Sequence, residues 1–148
     1  KGAGMIRVLV VDDHTLVRQA ITTMLGLQAD MEVVGEAATG REALAMCAAR
    51  RPQVVVMDLS MPDMNGVEAT ERITSAHPGV RVVALSMHAD PTWVERMLKA
   101  GASGYLLKNS SFIDLQSAVR EAAAGRCYLS PVVAGALVER ERAAARRR

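Results

Sequence analysis

The chain has 148 residues and a net charge of +2, enough length for one domain with a sizeable core. Half of the residues are hydrophobic but only 3% are aromatic, so that core must be aliphatic, with the nine Met as gap-fillers rather than ligands. The last ten residues hold five Arg and two Glu, which leaves 13 basic and 14 acidic residues elsewhere and excludes a nucleic-acid surface spread over the whole body.

No apolar run reaches membrane-spanning length and no leader pattern precedes the first element. Cys47 and Cys127 form no CxxC and read as reduced thiols of a cytoplasmic protein, with no disulfide or metal role. Residues 1–4, ahead of Met5, read as a vector-derived remnant.

The first element, Met5 to Val11, is a buried strand that runs into Asp12-Asp13-His14. Thr15 to Leu27 follows with Val17, Ala20, Ile21, Met24 and Leu25 at helical spacing, and with Thr15 as the expected N-cap. Met31 to Ala37 is a second strand. Thr39 to Arg50 is a helix stopped by Pro52. Val54-Val55-Val56-Met57 then ends in Asp58. Such a run suits a strand buried on both faces, and a carboxylate fits only at its C-terminal end. A loop with Pro62 and Asn65-Gly66 leads into a helix to about His77. Arg81 to Ser86 is a fourth strand, Pro91 to Ala100 a helix, and Gly104 to Leu107 a short fifth strand ending at Lys108. Ser110-Ser111 caps a last helix that runs to Ala124. Five strand–helix repeats predict an α/β fold: a doubly wound five-stranded parallel sheet with helices on both faces, for which the flavodoxin-like order 2-1-3-4-5 is the natural one.

In that order the strand ends bring Asp12, Asp13, Asp58, Ser86 and Lys108 to one edge, where open α/β sheets place their chemistry. Three carboxylates in one pocket repel, and a divalent cation is the usual remedy; all-oxygen donors suit Mg²⁺. A cation, a Lys and a hydroxyl around one carboxylate describe phosphoryl transfer with Asp58 as nucleophile. Singly, each of these residues has a bland reading as a helix-start acid, a strand-end cap or a solvated Lys; their convergence is what points to a site.

Val10-Val11-Asp12-Asp13-His14, Met57 through Gly66, Ala84-Leu85-Ser86 and Gly104 through Lys108 resemble the receiver (CheY-like) domain of bacterial two-component response regulators. The phrases Leu85-Ser86-Met87-His88, Lys99 through Tyr105 and Gly125 through Pro131 resemble the LuxR-type (NarL/FixJ-like) transcriptional regulators. The resemblance implies that Asp58 accepts a phosphoryl group from a sensor histidine kinase. It implies Mg²⁺ bound by Asp13, Asp58 and the backbone carbonyl of Ser60, with Asp12 acting directly or through water. It implies that Lys108 contacts the phosphoryl group, that Ser86 moves toward it, and that Tyr105 changes rotamer as the switch aromatic. A homodimer on activation is a further implication.

By the same resemblance residues 5–127 form the receiver, and 128–148 a linker with a further helix toward a missing helix-turn-helix domain through which DNA would be bound. The alternative is a stand-alone or phosphorylation-independent receiver that works by protein contacts. A dehalogenase-type phosphatase would want a second acid at the position of Ser60, and a nucleotide or flavin binder a Gly-rich loop where Asp12-Asp13-His14 stands. The expectation is a signalling switch, not an enzyme. His14 reads as an exposed loop residue beside the acids, and His88 as a neighbour able to tune the lifetime of an aspartyl phosphate.

Overall fold

The computed structural model describes residues 4–59 and 64–148. The strands are β1 (Ile6–Val11), β2 (Met31–Ala37), β3 (Val54–Asp58), β4 (Arg81–Ser86), β5 (Gly104–Leu107) and β6 (Tyr128–Leu129). The helices are α1 (Thr15–Gly26), α2 (Gly40–Arg50), α3 (Gly66–Ala76), α4 (Pro91–Lys99), α5 (Phe112–Ala123) and α6 (Pro131–Arg147). All strand pairs are parallel and the order is β2-β1-β3-β4-β5-β6.

The core of the expectation, 2-1-3-4-5 doubly wound, therefore stands, and the count of five is corrected to six. Tyr128 and Leu129 lie alongside Gly104 and Tyr105 as a two-residue edge strand. Gly104 permits that approach, since a Cβ there would stand 3.1 Å from the Tyr128 carbonyl oxygen.

Alternate strand residues feed two cores, as the period of two requires. Val8, Val10, Val54, Val56, Val83 and Leu106 face α1 and α5, where Leu25, Leu115 and Val119 meet them. Leu9, Val55, Met57, Val82, Ala84 and Tyr105 face α2, α3, α4 and α6. From that side come Cys47, Ile73, Val94, Met97 and Val133, each fully buried. Every residue of β3 is buried, so the strand that ends in Asp58 is the best-clamped rod in the sheet.

Four helix starts, those of α2, α3, α4 and α5, are fixed by side chains, each satisfying an orphan amide. Thr39 accepts from the Glu42 amide, Asn65 from Glu68, Asp90 from Thr92 and Ser111 from Asp114. Thr15 is not a cap: it is the first helical residue, and His14 occupies the N-cap position with no side-chain bond to the amides of the first turn. The apolar face of α1 is also less covered than its spacing predicts. Leu25 is fully buried, but Val17 and Met24 are 39% and 41% exposed; Val17 borders an open apolar cleft between α1 and the start of α5. Beyond β6, α6 lies back on α4: Arg140 Nη1 donates to Thr92 Oγ1 at 3.0 Å and pairs with Glu95 at 3.2 Å.

Candidate functional site

The site is built by the C-terminal ends of β1, β3, β4 and β5. Asp12 follows β1, and its amide donates to the Ala37 carbonyl of β2 at 3.0 Å, which continues the ladder one residue past the strand. Asp58 ends β3 opposite Leu85 of β4, so Ser86 stands one step beyond it on the neighbouring strand. The Lys108 amide donates to the Ser86 carbonyl at 2.7 Å and fixes the lysine stem beside β4. Asp12 and Asp58 are each 1% exposed.

Into this edge the Lys108 ammonium reaches, 3.1 Å from Asp58 Oδ1 and 3.2 Å from Asp12 Oδ2. Burial opposes the charged amine, but Asp58 and then Asp12 outweigh it and hold the Lys108 pKa above the ordinary lysine value. The lysine is therefore a fixed cation at neutral pH. The loop before α1 folds over the other side. The His14 amide donates to Asp12 Oδ1 at 2.8 Å, and its Nδ1 lies 3.1 Å from the same oxygen and 3.3 Å from Asp13 Oδ1. Asp12, Asp13, His14 and Asp58 each bring one ligand atom within 4.8 Å of the others.

Behind the acids a second group of contacts runs toward α4. Ser86 Oγ accepts from the His88 amide at 3.0 Å, and the Tyr105 hydroxyl donates to the His88 carbonyl at 2.9 Å. Tyr105 is fully buried. Burial pushes its phenol pKa up, a bond with the Ser86 side chain pulls against that, and the Asp90 charge adds to the rise. Leu59, Ser86, His88 and Trp93 line a cavity of about 200 Å³ there. On the far side, the close approach of α3 is allowed by Gly66: a Cβ would stand 2.7 Å from Leu59 Cα and 2.9 Å from the Asp58 carbonyl oxygen.

The structure thus brings together Asp12, Asp13, Asp58 and Lys108, and sets Ser86 and Tyr105 in one connected group beside them. Ser60 lies outside the described residues. His14 is 62% exposed, as a loop residue should be, yet it contacts both acids. Sequence reasoning missed Trp93 beside Ser86. It also missed Arg18, whose Nη1 donates to the Asp12 carbonyl at 2.8 Å. Trp93 stood out in the sequence as the one Trp of the chain; Arg18 had no signal beyond an ordinary helix charge.

A model of the response regulator receiver domain matches residues 8–120. The chain belongs to that family. It is 44% identical to the response regulator GacA of Pseudomonas protegens over 134 residues, which cover 90% of this chain and 63% of GacA. It is 43% identical to the transcriptional regulatory protein UhpA of Salmonella typhimurium over 130 residues, covering 88% of this chain and 65% of UhpA. The chain spans less than two thirds of the length of these curated relatives.

Among solved structures, a LuxR-family two-component response regulator from Aurantimonas sp. aligns with a TM-score of 0.89 and 34% identity, over 93% of this chain and 98% of that one. The receiver domain of the response regulator NarL from Mycobacterium tuberculosis aligns with a TM-score of 0.79 and 38% identity, over 82% and 98%. Its place is therefore in two-component signalling, among receivers whose relatives include transcriptional regulators. Among the described residues, no helix is long and apolar enough to cross a membrane.

Proposed function

We propose that Asp58 is the phosphoacceptor of this receiver and that Asp12, Asp13 and Asp58 hold a Mg²⁺ ion. The observation that carries the reading is the buried Asp58 carboxylate 3.1 Å from a fixed ammonium, inside a cluster of two further acids. The donor set fits the ion. Its carboxylate oxygens suit a hard divalent cation. Three carboxylates against the one Lys108 ammonium leave two negative charges, which a divalent ion neutralises. The Ser60 carbonyl is proposed as a further ligand by the family resemblance.

When bound, Mg²⁺ neutralises charge on the transferred phosphoryl group. The chain supplies the rest. An Asp58 oxygen attacks the phosphorus of a phosphohistidine on a sensor histidine kinase. The new O–P bond forms as the N–P bond breaks, and the imidazole keeps the electron pair. Lys108, already oriented at Asp58 Oδ1, neutralises a phosphoryl oxygen without reorganising. A phosphoryl oxygen is also a stronger acceptor for the Ser86 hydroxyl than its present surroundings. Drawing Ser86 forward would break its bond with the His88 amide and loosen the His88 carbonyl that Tyr105 grips. The switch would then be a shift between two packings of the Ser86–His88 segment and Tyr105.

The name of UhpA extends the proposal to control of transcription; by the family resemblance we further propose that the full-length protein is cytoplasmic, dimerises on activation and binds DNA through a helix-turn-helix region. Intact-mass spectrometry after incubation with Mg²⁺ and acetyl phosphate tests the acceptor. One phosphoryl adduct is expected in the parent and none in Asp58→Asn. Equal labelling of the two would move the acceptor elsewhere.

A further inference from the structure

Asp12 is held at each of its polar groups. Its amide donates to Ala37, Oδ1 accepts from the His14 amide, and Oδ2 faces Lys108. What remains is its main-chain carbonyl, half of the peptide plane that joins Asp12 to Asp13. That oxygen accepts from Arg18 Nη1 at 2.8 Å. The Arg18 side chain is only 16% exposed, and its Nε donates to Glu36 Oε1 at 3.0 Å. Glu36 is the second-last residue of β2, the one early strand end to which the sequence assigned no reactive group. One planar guanidinium therefore ties α1, the end of β1 and the end of β2 together.

We propose that Arg18, seated by Glu36, is a positioning residue for the acid pocket: it fixes the Asp12–Asp13 peptide and so presents the Asp13 carboxylate to the divalent cation. The inference rests on the pocket being the Mg²⁺ site described above. Past the Asp12 amide the backbone leaves the ladder, so the direction of the Asp13 side chain depends on how that peptide plane is turned. A charge-assisted bond to its carbonyl sets the plane. A lysine cannot replace it, because a single ammonium does not supply the forked pair of donors that spans Asp12 and Glu36. Partners one step behind a ligand commonly cost about 10- to 100-fold in metal affinity when removed.

The proposal makes a prediction of opposite sign to simple electrostatics. Arg18 is a cation beside a cation site, so on charge alone its removal would tighten Mg²⁺ binding. A positioning role requires the binding to weaken. The experiment is a calorimetric titration with MgCl₂ of the parent, Arg18→Met, Arg18→Lys, Glu36→Gln and Asp13→Asn, with folding of each checked by circular dichroism at the titration temperature.

The expected result is about a 10-fold weaker Kd in Arg18→Met, a weaker Kd in Arg18→Lys despite its retained charge, and a smaller loss in Glu36→Gln, which keeps the bond to the carbonyl. Global destabilisation alone does not change the affinity of a population that is fully folded. Arg18→Met or Arg18→Lys binding as tightly as the parent, or more tightly, overturns the positioning role and leaves the Mg²⁺ site standing. A parent that takes no Mg²⁺ overturns the site itself, and the inference with it.

Discussion

Replacing Asp13 by Asn should stabilise the metal-free protein and at the same time remove its response to Mg²⁺. Asp12, Asp13 and Asp58 each place a carboxylate oxygen within 4.8 Å of the others. Two like charges at that separation repel by about 3.5 kcal/mol at an effective dielectric of about 20. Asp13 faces two of them, but Lys108, at 3.1 and 3.2 Å from Asp58 and Asp12, already offsets one. The Asp13 side chain is also 31% exposed, so water and salt screen what is left. A net gain of about 1–2 kcal/mol remains on Asp13→Asn, or a rise in Tm of roughly 3–6 °C for a domain of this size.

The assay is differential scanning calorimetry in EDTA and in saturating MgCl₂. The parent should gain about 2.7 kcal/mol when the ion is at about 100 times its Kd, and the variant almost nothing. A variant no more stable than the parent in EDTA would mean that the acids do not repel as their spacing implies. A variant that still rises with MgCl₂ as the parent does would remove Asp13 from the ligand set.

Ile73→Ala, a fully buried truncation on α3, should cost about 3–4 kcal/mol in urea unfolding, and a loss under 1 kcal/mol would show that the core refills the gap. Burial pushes the Cys47 thiol from 9.0 up to about 11, so the folded state keeps a proton that the unfolded chain loses. This contribution is whole below pH 9.0 and is lost as pH rises from there through about 11; Cys47→Ala should show a shallower fall of the urea midpoint over that window, and parallel falls would acquit the thiol. Gly66→Ala forces a Cβ to 2.7 Å from the Leu59 backbone and should destabilise by about 1–3 kcal/mol while slowing phosphorylation by acetyl phosphate; unchanged labelling would show that α3 can retreat without moving Asp58. His88→Ala should change the lifetime of the phosphorylated form, since His88 lines the cavity beside Ser86; an unaltered dephosphorylation rate would exclude it.

The elements that the sequence predicts well are those whose ends are set by a change of chemistry. β2, β3 and β4 coincide with the expected residues because an apolar run stops at a turn or a polar side chain. β6 was illegible because two residues show no period; its only signals were Gly125 before it and Pro131 after it. The α1 face was over-read, since spacing reveals which residues share a side of a helix but not how far a neighbouring helix extends to cover them. Asp12, Asp13, Asp58 and Lys108 were legible because a parallel sheet delivers its strand ends to one edge whatever the side-chain details. Arg18 and Glu36 were not, because a helix Arg and a strand-end Glu look like solvated charges until the backbone brings them within 3.0 Å.

The seating of α6 on α4 makes the C-terminal helix a lever arm. Its grip is concentrated in the first ten residues, from the buried Val133 to Arg140 on Thr92 and Glu95. Seventeen residues at the helical rise give it a length of about 25 Å. A tilt of about 10° in α4, too small to disturb the ladder, would sweep the far end of a rod of that length through about 4 Å. Motion generated at a buried carboxylate would thus leave the domain enlarged, along a helix whose residues after Arg140 make no hydrogen bond or ion pair to another element among the described residues.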